Sequence, residues 1–219
     1  NTYISDKTNL KHLADFYYDL KKFFTLLQTH IKNIDKLNID GKQILFYSTN
    51  KNLAWRVSSF FTKEPETLRW LNRMNSESIL IDVGANIGLY SLYAALIKKC
   101  KVFSFEPESQ NFSTLVKNIV LNKADELCQA FPISVSNKIC LNHLHLSEFL
   151  VDGGSSCHSI GEEVGFDLKF RKAGLIQGSV EYTLDQAVSD GIIDLPTHIK
   201  IDVDGFEHRV IEGAKFLLN

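Results

Sequence analysis

The stretch that decides the fold is Ile79-Leu-Ile-Asp-Val-Gly-Ala-Asn-Ile-Gly88, an apolar run that ends in an acid and is followed by two glycines. Residues 79–83 are nearly all apolar, which is typical of a strand buried on both faces of a parallel sheet. Gly84 allows a tight turn, and residues 87–99 then carry the apolar spacing of a helix. This strand, glycine bend and helix form the first unit of a predicted α/β fold.

Strands and helices keep alternating after this unit. We expect strands at 102–105, 127–131, 180–182 and 199–203, helices at 110–121, 183–189 and 205–218, and a hairpin within 139–151. Such alternation predicts a Rossmann-like, doubly wound parallel sheet with helices on both faces. In these sheets ligands bind beyond the carboxyl ends of the strands, where the strand order reverses.

The N-terminal third has a different pattern. Apolar residues recur every three or four positions from about Asp6 to Leu37, which predicts one long helix with a packing face, and that face is a candidate surface for a homo-oligomer. A turn at Asn38-Ile-Asp-Gly41 and a short strand at residues 43–47 are expected next.

Domain organisation follows from these patterns. A helix is predicted from about Glu66 to Met74, just before the alternation begins. We therefore predict an N-terminal helical and strand extension over residues 1–75 and a Rossmann-like domain over residues 76–219.

Composition excludes several classes of protein. The 219 residues carry 24 basic and 26 acidic side chains, a net charge of −2, which argues against nucleic-acid binding driven by bulk basicity. No apolar run approaches the ~20 residues that span a bilayer, and no signal peptide is evident at the start. The four cysteines form no CxxC pair, so no metal site is predicted, and free thiols suit a cytoplasmic protein.

The spacing of the glycines selects among cofactors. A dinucleotide fingerprint that starts at Gly84 would need glycines at positions 86 and 89, where the chain has Asn86 and Leu89. A phosphate loop would need Gly-Lys-Ser/Thr, which is absent. The remaining form, D-x-G-x-x-x-G from Asp82 to Gly88, resembles the S-adenosylmethionine loop of Rossmann-like methyltransferases.

A second acid supports the same cofactor. Glu106 ends the second strand, 24 residues after Asp82, where a carboxylate can accept hydrogen bonds from both ribose hydroxyls. We expect Asp82 to accept from an ammonium group and the unpaired N–H groups at the start of the following helix to face an anion such as a carboxylate. The predicted cofactor-binding residues are Asp82, Gly84, Ala85, Asn86, Gly88, Glu106 and Pro107.

Taken together, these residues resemble the FkbM family of S-adenosylmethionine-dependent methyltransferases from about Lys63 to the end of the chain. The resemblance rests on residues 63–67, 81–91, 105–107, 115–118 with 122, 154–156, 183–185 and 200–205 with 207. It implies methylation of a hydroxyl on a sugar, polyketide or similar metabolite, and it places Glu64 near the methionine end of the cofactor. Family members continue with a fifth strand and a final hairpin, so we expect a C-terminally truncated sheet with residues 199–203 at its edge.

Candidate catalytic residues follow the fourth strand. Asp202, Asp204 and His208 cluster near the expected mouth of the site, and each is a candidate general base; the acids could alternatively hold a divalent cation. Asp204 and Glu207 also suit the first turn of a helix with no catalytic role, so Asp202, which ends its strand as Asp82 does, is the preferred candidate. His158 follows a glycine and serine loop that is placed to cover the acceptor.

Three functions remain open from the sequence. The first is an O-methyltransferase that acts on a small metabolite or a saccharide. The second is a nucleotide-sugar glycosyltransferase that uses Asp202-Val-Asp204 as a D-x-D metal site. The third is a non-catalytic binding module.

Overall fold

The computed structural model describes residues 16–22, 34–148, 152–165 and 167–219. The chain divides into two compact units, Asn1–Ile34 and Asp35–Asn219. In the first unit, residues 16–22 are helical, as expected. Most of the rest of the predicted long helix lies outside the described residues. The prediction is wrong at residues 34–37, which form part of a strand.

A hairpin replaces the end of that helix. Strand β1 (Ile34–Ile39) pairs with β2 (Lys42–Tyr47) across the two-residue turn Asp40-Gly41. Both turn residues have positive φ, 49° and 81°, which matches the turn that two-residue hairpins favour. The spacing that suggested a helix also fits a strand with Leu37 and Ile39 on its buried face.

Three short helices follow the hairpin: α1 (Lys51–Ser58), α2 (Phe60–Lys63) and α3 (Pro65–Leu71). Asn50 caps α1, because its side chain accepts from the Leu53 N–H. Leu53 and Phe60 are buried in the same apolar core as one face of the main sheet. The proposed domain boundary near residue 75 stays a prediction.

Eight further strands complete the sheets: β3 (Ile79–Val83), β4 (Lys101–Phe105), β5 (Cys128–Phe131), β6 (Ser134–Val135), β7 (Cys140–Leu146), β8 (Ser159–Ile160), β9 (Leu175–Tyr182) and β10 (His198–Ile201). The main sheet has the order β10-β3-β4-β5, and all of its strands are parallel. The order reverses between β3 and its neighbours β4 and β10, so the predicted α/β fold is confirmed and the site is expected at this point.

Helices cover both faces of the main sheet. They are α4 (Leu89–Tyr93, continued by a π-helical turn Ala94–Lys98), α5 (Ser109–Leu121), α6 (Leu184–Ser189) and α7 (Glu207–Glu212). One apolar core contains Leu80 and Val102, and the other contains Ile81 and Phe103, because successive strand residues point to opposite faces. Helix α7 is shorter than the predicted 205–218.

The second sheet corrects another prediction. Its order is β6-β9-β7-β8, and β7 pairs antiparallel with β9 from Cys140 opposite Glu181 to Leu146 opposite Leu175. The hairpin predicted within 139–151 is wrong, since β7 finds its long partner about thirty residues further along the chain. Within the described part of the chain, no helix has the length and apolarity needed to cross a membrane.

Candidate functional site

A cleft opens at the carboxyl ends of β3, β4 and β10. Seven of the predicted residues contribute to its lining or that of the pocket beside it: Gly84, Asn86, Glu106, Pro107, Asp202 and Asp204 line the cleft, and Ala85 lines the adjoining pocket around the bend. The cleft encloses about 860 Å³ of empty space, including the solvent at its mouth.

The two glycines of the bend are required by the protein's own packing. A Cβ on Gly84, whose φ is +77°, would lie 1.9 Å from the carbonyl oxygen of Asp202 at the end of β10. A Cβ on Gly88, whose φ is +86°, would lie 2.4 Å from Leu115 Cδ1. Gly84 thus lets the end of β3 approach the end of β10, whereas Gly88 lets the start of α4 approach α5.

The N–H groups of the bend are already hydrogen bonded within the chain. Those of Gly84 and Ala85 both donate to the Phe105 carbonyl at 3.0 Å, and that of Asn86 donates to Glu106 Oε2 at 2.8 Å. The N–H groups of residues 87 and 88 also have partners within the bend. These five N–H groups are therefore not free, whereas those of Leu89 and Tyr90 in the first turn of α4 have no hydrogen-bond partner among the described residues, so anion binding at the start of this helix stays a prediction.

Glu106 lies against the bend, as expected. Its side chain is buried, with Oε2 on the Asn86 N–H and Oε1 on the Glu108 N–H at 2.9 Å. Burial raises the pKa of Glu106 to about 7, although these two backbone donors act in the opposite direction. A carboxylate that lines the cleft one strand from the bend can accept hydrogen bonds from a pair of hydroxyls.

Asp82 has a different environment from the one predicted. It is fully buried and is not among the residues that line the cleft. Its Oδ2 accepts from Ser91 Oγ at 2.6 Å, and its Oδ1 is 3.3 Å from the ammonium nitrogen of Lys200, which is opposite Asp82 in the strand register. The ammonium group that pairs with Asp82 thus comes from the protein itself.

Lys200 is a buried cation at the site that had no predicted role, although it lies in the segment 200–205 that resembles the FkbM family. Its side chain is 9% exposed, and its nitrogen is also 3.2 Å from Asp202 Oδ2. Burial by itself would lower the pKa of Lys200, but the carboxylates of Asp82 and Asp202 raise it above its ordinary value. Lys200 is therefore charged, and it orients Asp202, whose side chain is 48% exposed and lines both the cleft and the adjoining pocket.

A segment that we call the strap, residues 152–158, crosses the site. The Ser155 carbonyl accepts from the side-chain amides of Asn86 at 2.7 Å and Asn111 at 3.2 Å, and the Gly154 carbonyl accepts from Arg56 Nε at 2.9 Å. The strap therefore connects the bend, α5 and α1. A covering loop was predicted here. Its hydrogen-bond partners were not predicted, because they are distant in the chain.

His158 ends the strap in a neutral state. Its Nδ1 accepts from the Ser147 N–H at 3.2 Å, so its proton is assigned to Nε2, which lies 3.0 Å from Ser155 Oγ. Burial, together with the nearby Arg56 guanidinium, lowers the pKa of His158 to about 4. Both ring nitrogens are therefore committed, and the ring holds the strap in place.

The remaining predicted residues are divided between the cleft and its surroundings. Asp204 lines the cleft, its Oδ2 accepts from the Cys157 N–H at 2.7 Å, and burial raises its pKa. His208 is exposed outside the lining, with its ring against Phe206. Glu64 also lies outside the lining and pairs with Lys63 at 2.9 Å. Among the described residues, no three metal-ligating side chains form a candidate metal site.

Comparison with known proteins gives matches over most of the chain. A hexuronic acid methyltransferase, AglP from Haloferax volcanii, is 24% identical over 175 residues, which cover 80% of this chain and 66% of AglP. Methyltransferase sdnD from Sordaria araneosa is 27% identical over 202 residues, covering 80% and 74% of the two chains. The chain thus spans just under two thirds of the length of the archaeal relative.

A solved structure and a family model match as well. The crystal structure of methyltransferase FkbM from Methylobacillus flagellatus is 20% identical with a TM-score of 0.43, over 67% of this chain and 31% of that one. The model of the methyltransferase FkbM domain matches residues 82–219, which include all of the cleft lining except Arg56 and Lys63. This match confirms the predicted resemblance and supports S-adenosylmethionine as the cofactor, and it shows that the chain belongs to the FkbM methyltransferase family.

Proposed function

We propose that this chain transfers a methyl group from S-adenosylmethionine to a hydroxyl oxygen of a saccharide or another small metabolite. The observation that carries the proposal is the position of Glu106, whose buried carboxylate lines the cleft and accepts from the Asn86 N–H in the glycine bend. This arrangement fits a nucleoside whose ribose hydroxyls donate to Glu106 while its amino-acid end lies along the bend.

Residues of this chain would hold the cofactor on both sides of Glu106. Pro107 lines the cleft next to the carboxylate, and Asn86 lines both the cleft and the adjoining pocket around the bend. When bound, S-adenosylmethionine supplies an electrophilic methyl group on a sulfonium. The chain holds the methyl group and the acceptor hydroxyl in the reactive geometry, which lowers the activation barrier by several kcal/mol, about 7–11 in favourable cases.

Asp204 is the best candidate for the general base. Its Oδ1 has no hydrogen-bond partner among the described residues, while the Cys157 N–H fixes Oδ2. Burial raises its pKa toward neutrality, which strengthens it as a base. The alternatives fit less well, because Lys200 pairs with Asp202, the ring nitrogens of His158 are committed, and His208 lies outside the lining.

In the proposed step, Asp204 Oδ1 takes the proton from the acceptor hydroxyl as that oxygen forms its bond to the methyl carbon. S-adenosylmethionine, when bound, would supply the methyl group and keep the electron pair of its carbon–sulfur bond. The products are a methyl ether, a neutral thioether nucleoside and a protonated Asp204, which then loses its proton to water.

The class of acceptor is supported by a relative. AglP is named as a hexuronic acid methyltransferase, and it aligns with 80% of this chain. A saccharide that bears hydroxyls and a carboxylate is therefore the first class of acceptor to test.

The proposal is tested by replacing the base without changing its shape. Asp204→Asn keeps an oxygen for the Cys157 N–H but removes the base, so we expect methyl transfer to fall about 10²- to 10⁴-fold while the affinity for S-adenosylmethionine changes little. The matched control is Asp194→Asn, which makes the same change at an exposed ion pair with Lys101 near the other end of the sheet. The rate is measured as the S-adenosylhomocysteine formed from S-adenosylmethionine in the presence of each of a panel of sugar acids, and calorimetry measures the affinity.

Two results would contradict the proposal at different levels. If the unmodified chain binds neither S-adenosylmethionine nor S-adenosylhomocysteine, the cofactor assignment fails. If the cofactor binds and Asp204→Asn is as active as Asp194→Asn, the assignment of the base fails and the cofactor assignment stands.

A further inference from the structure

Arg56 is a partly buried cation without an anionic partner. It lies on α1 and lines both the cleft and the adjoining pocket around the bend. Its Nε donates to the Gly154 carbonyl at 2.9 Å and its Nη2 to the Ser155 carbonyl at 3.3 Å. No carboxylate of the described residues forms an ion pair with it, and its Nη1 has no hydrogen-bond partner among them.

This environment is unfavourable for a charge. Burial lowers the pKa of Arg56, although Glu106, Asp202 and Asp204 oppose this effect from a greater distance. A guanidinium in a partly dry site is stabilised when a carboxylate accepts two of its N–H groups. The two strap carbonyls are neutral acceptors, so they satisfy hydrogen bonds but leave the charge unbalanced.

The other cations of the two cavities already have anionic partners. Lys63 is 2.9 Å from Glu64, and Lys200 lies between Asp82 and Asp202. The N–H groups of residues 84–88 are hydrogen bonded within the chain, so these five are not free donors for an anion. Arg56 is thus the positively charged donor that remains for a negatively charged group on a ligand.

We infer that Arg56 binds a carboxylate of the ligand in the cleft. The inference rests on the proposed function, and a carboxylate then has two sources: the amino-acid end of the cofactor or an acidic acceptor. The same chemistry serves both, because the guanidinium fork matches a carboxylate in either position. A lysine would supply the charge without that geometry.

The first arm of the test addresses the cofactor. S-adenosylhomocysteine carries the carboxylate, whereas 5′-methylthioadenosine has the same nucleoside without the amino-acid end. If the carboxylate belongs to the cofactor, Arg56→Gln weakens S-adenosylhomocysteine about 10- to 100-fold in calorimetry and leaves 5′-methylthioadenosine within about twofold. Arg69→Gln is the matched control, because Arg69 is exposed on α3 and pairs with Glu66.

The second arm addresses the acceptor. With S-adenosylhomocysteine bound, the unmodified chain is titrated with methyl glucuronide and with methyl glucoside, which differ in the carboxylate. If the carboxylate belongs to the acceptor, Arg56→Gln keeps the affinity for S-adenosylhomocysteine but removes a preference of about 10-fold or more for the glucuronide.

The outcomes separate this inference from the proposed function. A loss in either arm supports the inference and identifies the source of the carboxylate. If the unmodified chain binds S-adenosylhomocysteine and Arg56→Gln matches Arg69→Gln in both arms, the inference is overturned and the proposed function stands. If the unmodified chain binds no S-adenosylhomocysteine, the proposed function is overturned and the inference with it.

Folding is checked separately, because Arg56 also holds the strap. If Arg56→Gln does not fold by thermal melting, the unmodified chain still decides. S-adenosylhomocysteine is then compared with its decarboxylated analogue, and the glucuronide with the glucoside. Equal affinities within both pairs overturn the inference, and a preference of about 10-fold for either carboxylate supports it.

Discussion

Gly84→Ala tests the packing of the glycine bend against the end of β10. The added Cβ would lie 1.9 Å from the Asp202 carbonyl oxygen, where ordinary contacts are 3.4–4 Å, so the backbone must move. The left-handed conformation of an alanine costs ~1–2 kcal/mol. Backbone shifts from overpacking cost ~1–3 kcal/mol, so we expect the free energy of unfolding to fall by about 2–5 kcal/mol in total.

A second glycine separates these two contributions. Gly191 also has a positive φ, +67°, but a Cβ there would meet nothing within 4 Å. Gly191→Ala therefore carries the conformational cost alone, about 1–2 kcal/mol. Urea unfolding, followed by tryptophan fluorescence, measures both variants, and the difference between them is the cost of the contact with Asp202.

The reasoning is refuted if the two variants are equally stable. That result would mean that the Asp202 carbonyl yields to a methyl group without cost, so the bend and β10 would not be held in one arrangement. Methyl transfer is measured on the same samples, because displacement of Asp202 also disturbs the mouth of the cleft.

Three further predictions concern buried polar groups. In the unmodified chain, the free energy of unfolding should fall as the pH rises from 4.5 to about 7, because the folded state keeps Glu106 protonated in a range where the unfolded state does not. Glu106→Gln should remove this fall, and urea midpoints across the range measure it. His158→Asn should remove the opposite trend, because a folded-state pKa of about 4 gives stability that is present above pH 6.5 and is lost as the pH falls toward 4. If the urea midpoint of either variant depends on pH as strongly as that of the unmodified chain, the corresponding assignment is contradicted. Ser91→Ala should destabilise the fold by about 1.5–3 kcal/mol, because buried Asp82 loses its 2.6 Å donor, and a loss below about 0.5 kcal/mol in urea unfolding would show that Asp82 does not depend on this hydrogen bond.

Features that depend on neighbouring residues could be predicted from the sequence. The helix predicted at 183–189 is present as α6 (Leu184–Ser189), and the apolar run at 79–83 forms β3 with the predicted bounds. The prediction that the N-terminal helix extends to residue 37 was wrong, because the apolar residues of Ile34–Ile39 fit both a helical spacing of three or four and the alternation of a strand. There the Asp40-Gly41 turn selected the hairpin.

The site was predictable in type but not in detail. The spacing of Gly84 and Glu106 indicated a nucleoside cofactor, and the structure places both residues on the cleft. The Phe105 carbonyl accepts from the N–H groups of Gly84 and Ala85, a pairing that the spacing of residues did not indicate because Phe105 is about twenty residues away. The role of Arg56 had no signal in the sequence, since its hydrogen-bond partners are about a hundred residues away.

The order of residues alone determined the alternation of strands and helices, the glycine bend and the acid one strand away, because each is set by spacing within a short window. The tertiary structure alone decided that Lys200 pairs with Asp82, that the backbone of Asp202 packs against Gly84, and that the strap is hydrogen bonded to the glycine bend. The reason is physical: a buried charge or a crowded backbone is stabilised by whichever group the folded chain brings beside it, and that group can lie anywhere in the sequence.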